Sequence, residues 1–148
     1  MAIAFRPATA VDFDYCAKLY FAAMGQALDE LKLDRAAHAL SFRDRWDFKE
    51  VRIIRRDGSD IGWLQSRIEV HALFLAQLFV DGPYRGHGIG TEIMHRLIDE
   101  ASRGGLAVTL GVVKTNPALR LYERLGFRTT HEDARKFYMR REPGNALE

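Results

Sequence analysis

The stretch Leu78-Phe79-Val80-Asp81-Gly82-Pro83-Tyr84-Arg85-Gly86-His87-Gly88-Ile89-Gly90 joins an apolar run to an amphipathic one through a glycine-rich turn. Glycines let the backbone approach a ligand without Cβ interference. A helix beginning just after them presents unpaired N–H groups and the positive end of its dipole. The stretch therefore predicts an anion cradle suited to a pyrophosphate. Its neighbours decide which anion.

Upstream, Ile3 to Arg6 reads as a short strand closed by Pro7, and Thr9-Ala10-Val11-Asp12 resembles a capping box with Asp in place of Glu. Phe13, Ala17, Tyr20, Met24, Ala27, Leu28 and Leu31 then recur every three or four residues, predicting a helix to about Leu31 with one apolar face. Asp34 can cap a second helix through Ala36, Ala37 and Leu40 towards Trp46. Val51 to Arg55, the turn Asp57-Gly58-Ser59-Asp60 and Ile61 to Val70 predict a hairpin. Ala72 to Val80 is a nearly continuous apolar run, expected of a central strand buried on both faces.

Downstream, Ile89, Ile93, Met94, Leu97, Ile98 and Ala101 form one helical face, ended by Gly104-Gly105. Ala107 to Val113 is a further strand, so strand, helix and strand predict a right-handed parallel crossover within an otherwise antiparallel sheet. Pro117 opens a short helix, with Leu121, Tyr122 and Leu125 inside and Gly126 as its stop. Phe127 to Thr130 and Lys136 to Arg140 complete an antiparallel pair, and about 142–148 reads as a flexible tail.

The 148 residues, 47% of them apolar, suit a single domain spanning 1–148. A net charge of +2 supplies no basic stripe for nucleic acid and no polybasic membrane patch. The longest apolar run, interrupted by Gln77, is far short of the ~20 residues of a membrane helix. Cys16, the sole cysteine, permits no internal disulfide and fits a reducing cytoplasm. The five histidines lack zinc-like spacing, so no metal is expected.

Two commoner glycine motifs fail. Counting from Gly86, the third glycine of a dinucleotide fingerprint falls on Thr91, and a P-loop needs a Lys where Gly90 is followed by Thr91-Glu92. What remains, Arg85-x-x-Gly88-x-Gly90, resembles the acyl-CoA-binding signature of the GNAT superfamily of N-acyltransferases. Downstream, Ala118-Leu119-Arg120-Leu121-Tyr122-Glu123-Arg124-Leu125-Gly126-Phe127 is similar to that family's Ala-x-x-Leu-Tyr-x-x-Leu-Gly-Phe segment. The two stand in the family's order and spacing.

The resemblance implies an α/β fold of the GNAT type: a central mixed, mostly antiparallel sheet of six or seven strands, helices on both faces, and a splayed central parallel pair. It implies acetyl-CoA as cosubstrate, with its pyrophosphate on the backbone of Arg85, Gly86, His87, Gly88, Ile89, Gly90 and Thr91. The backbone of Leu78, Phe79 and Val80 would line the pantetheine arm. Tyr122 matches the family tyrosine that protonates the departing thiolate. Asn116 stands one residue away from the family's pantetheine-contacting asparagine, so it either contacts the arm or caps the helix at Pro117.

Glu69, His71 and Asp81 are the base candidates, each with an ordinary reading as an exposed sheet-end residue. His87 reads equally well as a turn residue facing solvent. His38, Trp46, Trp63 and Gln65 come from segments that border the acceptor in the family, where pocket and core readings both stand. The expected activity is acetyl transfer to a primary amine of a small molecule or peptide. A non-catalytic acyl-CoA sensor of the same fold is the alternative, and a homodimer is compatible with the sequence.

Overall fold

The computed structural model describes residues 3–30, 32, 34–86 and 88–144. The elements run β1 (Ile3–Pro7), α1 (Phe13–Glu30), α2 (Arg35–Arg45), β2 (Val51–Arg56), β3 (Ser59–Glu69), β4 (Ala72–Val80), α3 (Ile89–Arg103), β5 (Ala107–Val113), α4 (Ala118–Arg124), β6 (Arg128–Glu132) and β7 (Lys136–Arg141). The strands hydrogen-bond in the order β1-β2-β3-β4-β5-β7-β6. The β4–β5 pair is parallel and the β1–β2, β2–β3, β5–β7 and β6–β7 pairs are antiparallel, so the sheet is mixed as expected. By Cα proximity the chain forms two compact units, Met1–Gln65 with Gln77–His87 and Ser66–Ala76 with Gly88–Glu148.

In the first unit, β1 pairs with β2 and β2 with β3, and α1 and α2 bury an aromatic core against them. Trp63, wholly buried, lies 5.9 Å from the Phe42 ring and 5.3 Å from the Phe79 ring, while the Tyr20 ring lies tilted against Phe42 at 4.5 Å. Rings of this size dominate a small core, and their tilted and edge-on contacts suit the aromatic quadrupole.

Asp34 caps α2 as expected, accepting from Ala36 N–H at 2.8 Å and Ala37 N–H at 3.3 Å. The inward face of α2 differs from expectation. Leu40 is largely exposed and Phe42 is buried, because a single large ring fills the space against Trp63 and Tyr20. Leu31 and the side chains of Ala27 and Leu28 lie outside the described residues.

The Thr9 turn is pinned from below. The Thr9 N–H donates to Asp12 Oδ2 at 2.9 Å, and both Asp12 oxygens take the Arg6 guanidinium at 2.9 and 3.0 Å, with Arg6 also reaching Asp60 at 3.1 Å. The Arg6 hydrogen bonds hold the Asp12 carboxyl below its usual range. A lowered folded-state pKa contributes stability above the unfolded value, about 3.9, that is lost as pH falls through the folded value. Asp12→Asn should therefore cost about 1.5–3 kcal/mol at neutral pH, the worth of hydrogen bonds to a charged group. Urea unfolding should show the gap between variant and parent narrowing below about pH 4.

In the second unit, β4 pairs with β5 from Ala72↔Ala107 to Leu75↔Leu110, and β5 pairs with β7 from Val108↔Arg141 to Val113↔Lys136. The expected inward residues of α3, Ile89, Ile93, Met94, Leu97, Ile98 and Ala101, are all buried. Gly105, at φ 71°, supplies the left-handed close of the helix, after which the Leu106 N–H returns to the Ala101 carbonyl at 2.8 Å. β4 departs from a strand buried throughout: Ala76 to Val80 are only half-buried, beyond the last β5 pairing at Leu75. The start of the expected tail is anchored, the Gly144 N–H donating to Ser102 Oγ at 3.2 Å. Residues 145–148 lie outside the described residues.

Candidate active site

A short 3-10 turn, Gly82–Tyr84, carries the chain out of β4. Gly86 and Gly88 both adopt left-handed backbone, at φ 79° and 75°. A side chain is disfavoured at either position, so the backbone conformation favours glycine at both. A Cβ placed on Gly86, Gly88 or Gly90 would meet nothing within 4 Å, so the backbone there is bare and accessible. The first α3 bond runs from the Glu92 N–H to the Gly88 carbonyl at 3.1 Å. The amides from Gly88 through Thr91 consequently have no intrahelical acceptor, and they sit at the positive end of the helix dipole. These residues fit a pyrophosphate. His87 lies outside the described residues.

Arg85 is exposed, and its Nε donates to the Val80 carbonyl at 2.8 Å. Part of its guanidinium thus braces the turn, leaving its remaining N–H groups for an anion.

The end of β4 is shaped by a residue the sequence reading passed over. Gly62 of β3 is buried, and a Cβ there would collide with the Phe79 carbonyl oxygen and stand 3.1 Å from the Val80 Cα. The Asp81 N–H then closes onto the Ile61 carbonyl at 2.7 Å. An isolated glycine inside a strand pattern signals such a close backbone approach, so the signal was present in Ile61-Gly62-Trp63. Leu78, Phe79 and Val80 are each half-buried.

Tyr122 lies on α4 with its ring 5.8 Å from Phe127, and Gly126, at φ 95°, closes the helix so that the Phe127 N–H returns to the Tyr122 carbonyl at 3.0 Å. Desolvation pushes the Tyr122 phenol up from its ordinary value, and its hydroxyl makes no hydrogen bond to a described residue. A phenol so placed stays protonated at neutral pH and free to donate. Asn116 Oδ1 accepts from the Ala118 N–H at 2.9 Å. That bond belongs to the helix-capping reading, and it leaves the Asn116 side-chain amide unengaged.

The three base candidates are dispersed. Glu69 is exposed and paired with Arg67 at 3.0 Å. His71 is exposed in the tight β3–β4 turn, at φ 62°. Asp81 is half-buried at the other end of β4, its backbone fixed by Ile61 and Tyr84. The nine residues of β4, at about 3.3 Å per residue, set its two ends some 25 Å apart. Beside Asp81 the sequence missed Tyr15, whose buried hydroxyl has no hydrogen-bond partner among the described residues and is raised well above its ordinary pKa by desolvation and then by the charges of Asp60 and Asp81.

Trp63 is a core residue. Gln65 is buried, its Nε2 donating to the Arg45 carbonyl at 3.0 Å and to Glu50 Oε1 at 2.8 Å. Trp46 meets Phe13 edge-on at 5.3 Å and His38 is half-buried. Among the described residues no group of three or more His, Cys, Asp or Glu is placed to hold a metal ion, and no helix is long and apolar enough to cross a membrane.

The family model described as the acetyltransferase (GNAT) family matches residues 17–127, and the chain belongs to that family. It is similar to an uncharacterized N-acetyltransferase of Methanocaldococcus jannaschii, 36% identical over 70 residues that cover 46% of this chain and 31% of the relative. It is also similar to human cysteine-rich protein 2-binding protein, 31% identical over 83 residues that cover 56% of this chain and 10% of the relative. The matches thus span less than a third of either relative. Among solved structures it is similar to the PaiA N-acetyltransferase of Thermoplasma acidophilum in complex with coenzyme A, with a TM-score of 0.75 at 15% identity over 96% of this chain and 99% of that one.

Proposed function

We propose that this chain transfers an acetyl group from acetyl-CoA to a primary amine of a small molecule or peptide, by direct attack of the neutral amine on the thioester. The observation that carries the reading is the row of amides from Gly88 to Thr91, which lack an intrahelical acceptor, on accessible glycine backbone. Direct N–H bonds to a pyrophosphate there are charge-assisted and aided by the helix dipole.

Arg85, Gly86, His87, Gly88, Ile89, Gly90 and Thr91 hold the donor's phosphates. The backbone of Leu78, Phe79 and Val80 lines the arm, and Asn116 offers its free amide to it. Tyr122 gives its proton to the departing thiolate. Asp81 is the base candidate at the C-terminal end of β4 next to the cradle, taking the amine proton directly or through water. Glu69 and His71 stand at the opposite end of that strand, and a role for either would require the acceptor to lie there. The reaction is set in the cytoplasm, and a homodimer is compatible with it.

The test is thiol release from acetyl-CoA over a panel of amines, polyamines and peptides. Release of free CoA with stoichiometric acetylation of at least one acceptor is the expected result. Tight acetyl-CoA binding with no turnover on any acceptor would replace the enzyme by an acyl-CoA sensor of the same fold.

A further inference from the structure

Arg128 of β6 stands directly opposite Arg140 of β7 in the antiparallel register. Opposed residues leave the sheet on one face with Cβ atoms about 5 Å apart, and like charges so placed repel. Every residue of β6 itself is exposed.

Arg141 follows with a third guanidinium, its Nε donating to the Leu125 carbonyl at the end of α4 at 2.7 Å and its Nη1 to the Glu142 carbonyl at 3.2 Å. With Gly126, Glu142 and Pro143 the three arginines line a cleft of about 440 Å3. Among the described residues the one carboxylate lining that cleft, Glu142, pairs with Arg140, which leaves an excess of two positive charges among them. Arg128 forms no ion pair with a described residue. Gly126 keeps the cleft open beneath Arg141, since a Cβ there would stand 3.3 Å from Arg141 Nε in a backbone at φ 95°.

We propose that the Arg128–Arg140 pair and its cleft form a binding site for a dianionic phosphate group, either free or carried as the monoester of a small molecule. A carboxylate is filled by one guanidinium fork, whereas a phosphate has oxygens for two forks at once and a charge near −2 that matches the excess. The cleft is also roomier than a bare phosphate requires.

The cleft sits beside the start of β5. Arg140 and Arg141 lie opposite Thr109 and Val108 near the start of β5, while the end of β5, Val113, lies opposite Lys136. Five residues of strand, about 17 Å, separate Val108 from Val113.

The test is residue-resolved NMR of the arginine Nε–Hε groups in the full chain. It is titrated with sodium phosphate, glycerol 3-phosphate, sodium acetate and sodium chloride at matched ionic strength. Both phosphate probes should shift Arg128 and Arg140 saturably, and acetate and chloride should not. Tighter binding of glycerol 3-phosphate identifies a monoester as the ligand, and equal or tighter binding of inorganic phosphate identifies the free ion.

Arg128→Gln and Arg140→Gln should each weaken binding roughly tenfold or more, the loss of a charge-assisted fork. Arg128→Lys should fall between them and the parent, keeping the charge without the fork. Arg120→Gln on the exposed face of α4 should leave binding unchanged. Shifts that chloride reproduces, shifts confined to Arg85, or undiminished affinity in both glutamine variants would overturn the proposal.

Discussion

Replacing Tyr122 by phenylalanine should slow acetyl transfer about 100-fold, the lower end of what a positioned general acid contributes, while leaving acetyl-CoA affinity close to that of the parent. The chemistry requires an acid because amine attack on the thioester expels a thiolate. The phenol is raised above its ordinary value by desolvation, so it is protonated through the neutral range. Its hydroxyl bonds to no described residue, so removing it orphans no partner and should leave thermal unfolding nearly unchanged.

The Phe127 contact at 5.8 Å depends on the ring and survives the substitution. The pH dependence separates acid from filler. A protonated acid is active below its pKa, so the parent should lose activity on an alkaline limb above pH 10 that the phenylalanine variant lacks. Turnover at the parent rate in the variant, with an unaltered alkaline limb, would remove Tyr122 from the chemistry.

What could be read from the sequence followed from local rules. Left-handed glycines at 86, 88, 105 and 126 answer backbone conformations that other residues adopt at a cost, so their spacing carried through to the turns. The α3 face was legible in full because 3.6-residue periodicity maps onto one side of a helix. The α2 face was not. Ala36, Ala37 and Leu40 made only a weak pattern mixed with charged residues, and Phe42 went inward because its partners Tyr20 and Trp63 come from distant segments. The half-exposure of Ala76 to Val80 escaped for a similar reason. Apolar composition reports that a strand can be buried, whereas the place where its neighbour stops pairing is a matter of topology. Glu69 and His71 were grouped with Asp81 by their nearness to β4 in sequence, and nine residues of extended chain separate what sequence proximity joins.

Gly62 marks the same boundary from the other side, a legible signal whose meaning required the partner strand. Gly62→Ala should destabilise the fold by about 1–3 kcal/mol or more, and weaken acetyl-CoA binding at the same time. The added methyl would meet the Phe79 carbonyl oxygen and the Val80 Cα, and a backbone cannot rotate aside as a side chain can. Gly111→Ala provides the contrast, since its Cβ would meet the Tyr138 ring at 3.2 Å and Lys136 Cδ at 3.7 Å, side chains rather than backbone, which can give way.

To admit the methyl at position 62, the end of β4 must shift. That strains the 2.7 Å bond from the Asp81 N–H to the Ile61 carbonyl and draws the Phe79 ring from Trp63, 5.3 Å away, and from Tyr20, 5.5 Å away. Leu78, Phe79 and Val80 are the backbone proposed to line the pantetheine arm, so one displacement should lower both stability and affinity. Urea unfolding and calorimetric titration with acetyl-CoA would measure the two losses on the same sample. A variant that unfolds within about 0.5 kcal/mol of the parent, the ordinary range for an inconsequential substitution, would show that Phe79 does not press on Gly62. Lost stability with unaltered affinity would detach the end of β4 from the donor site while leaving the close approach intact.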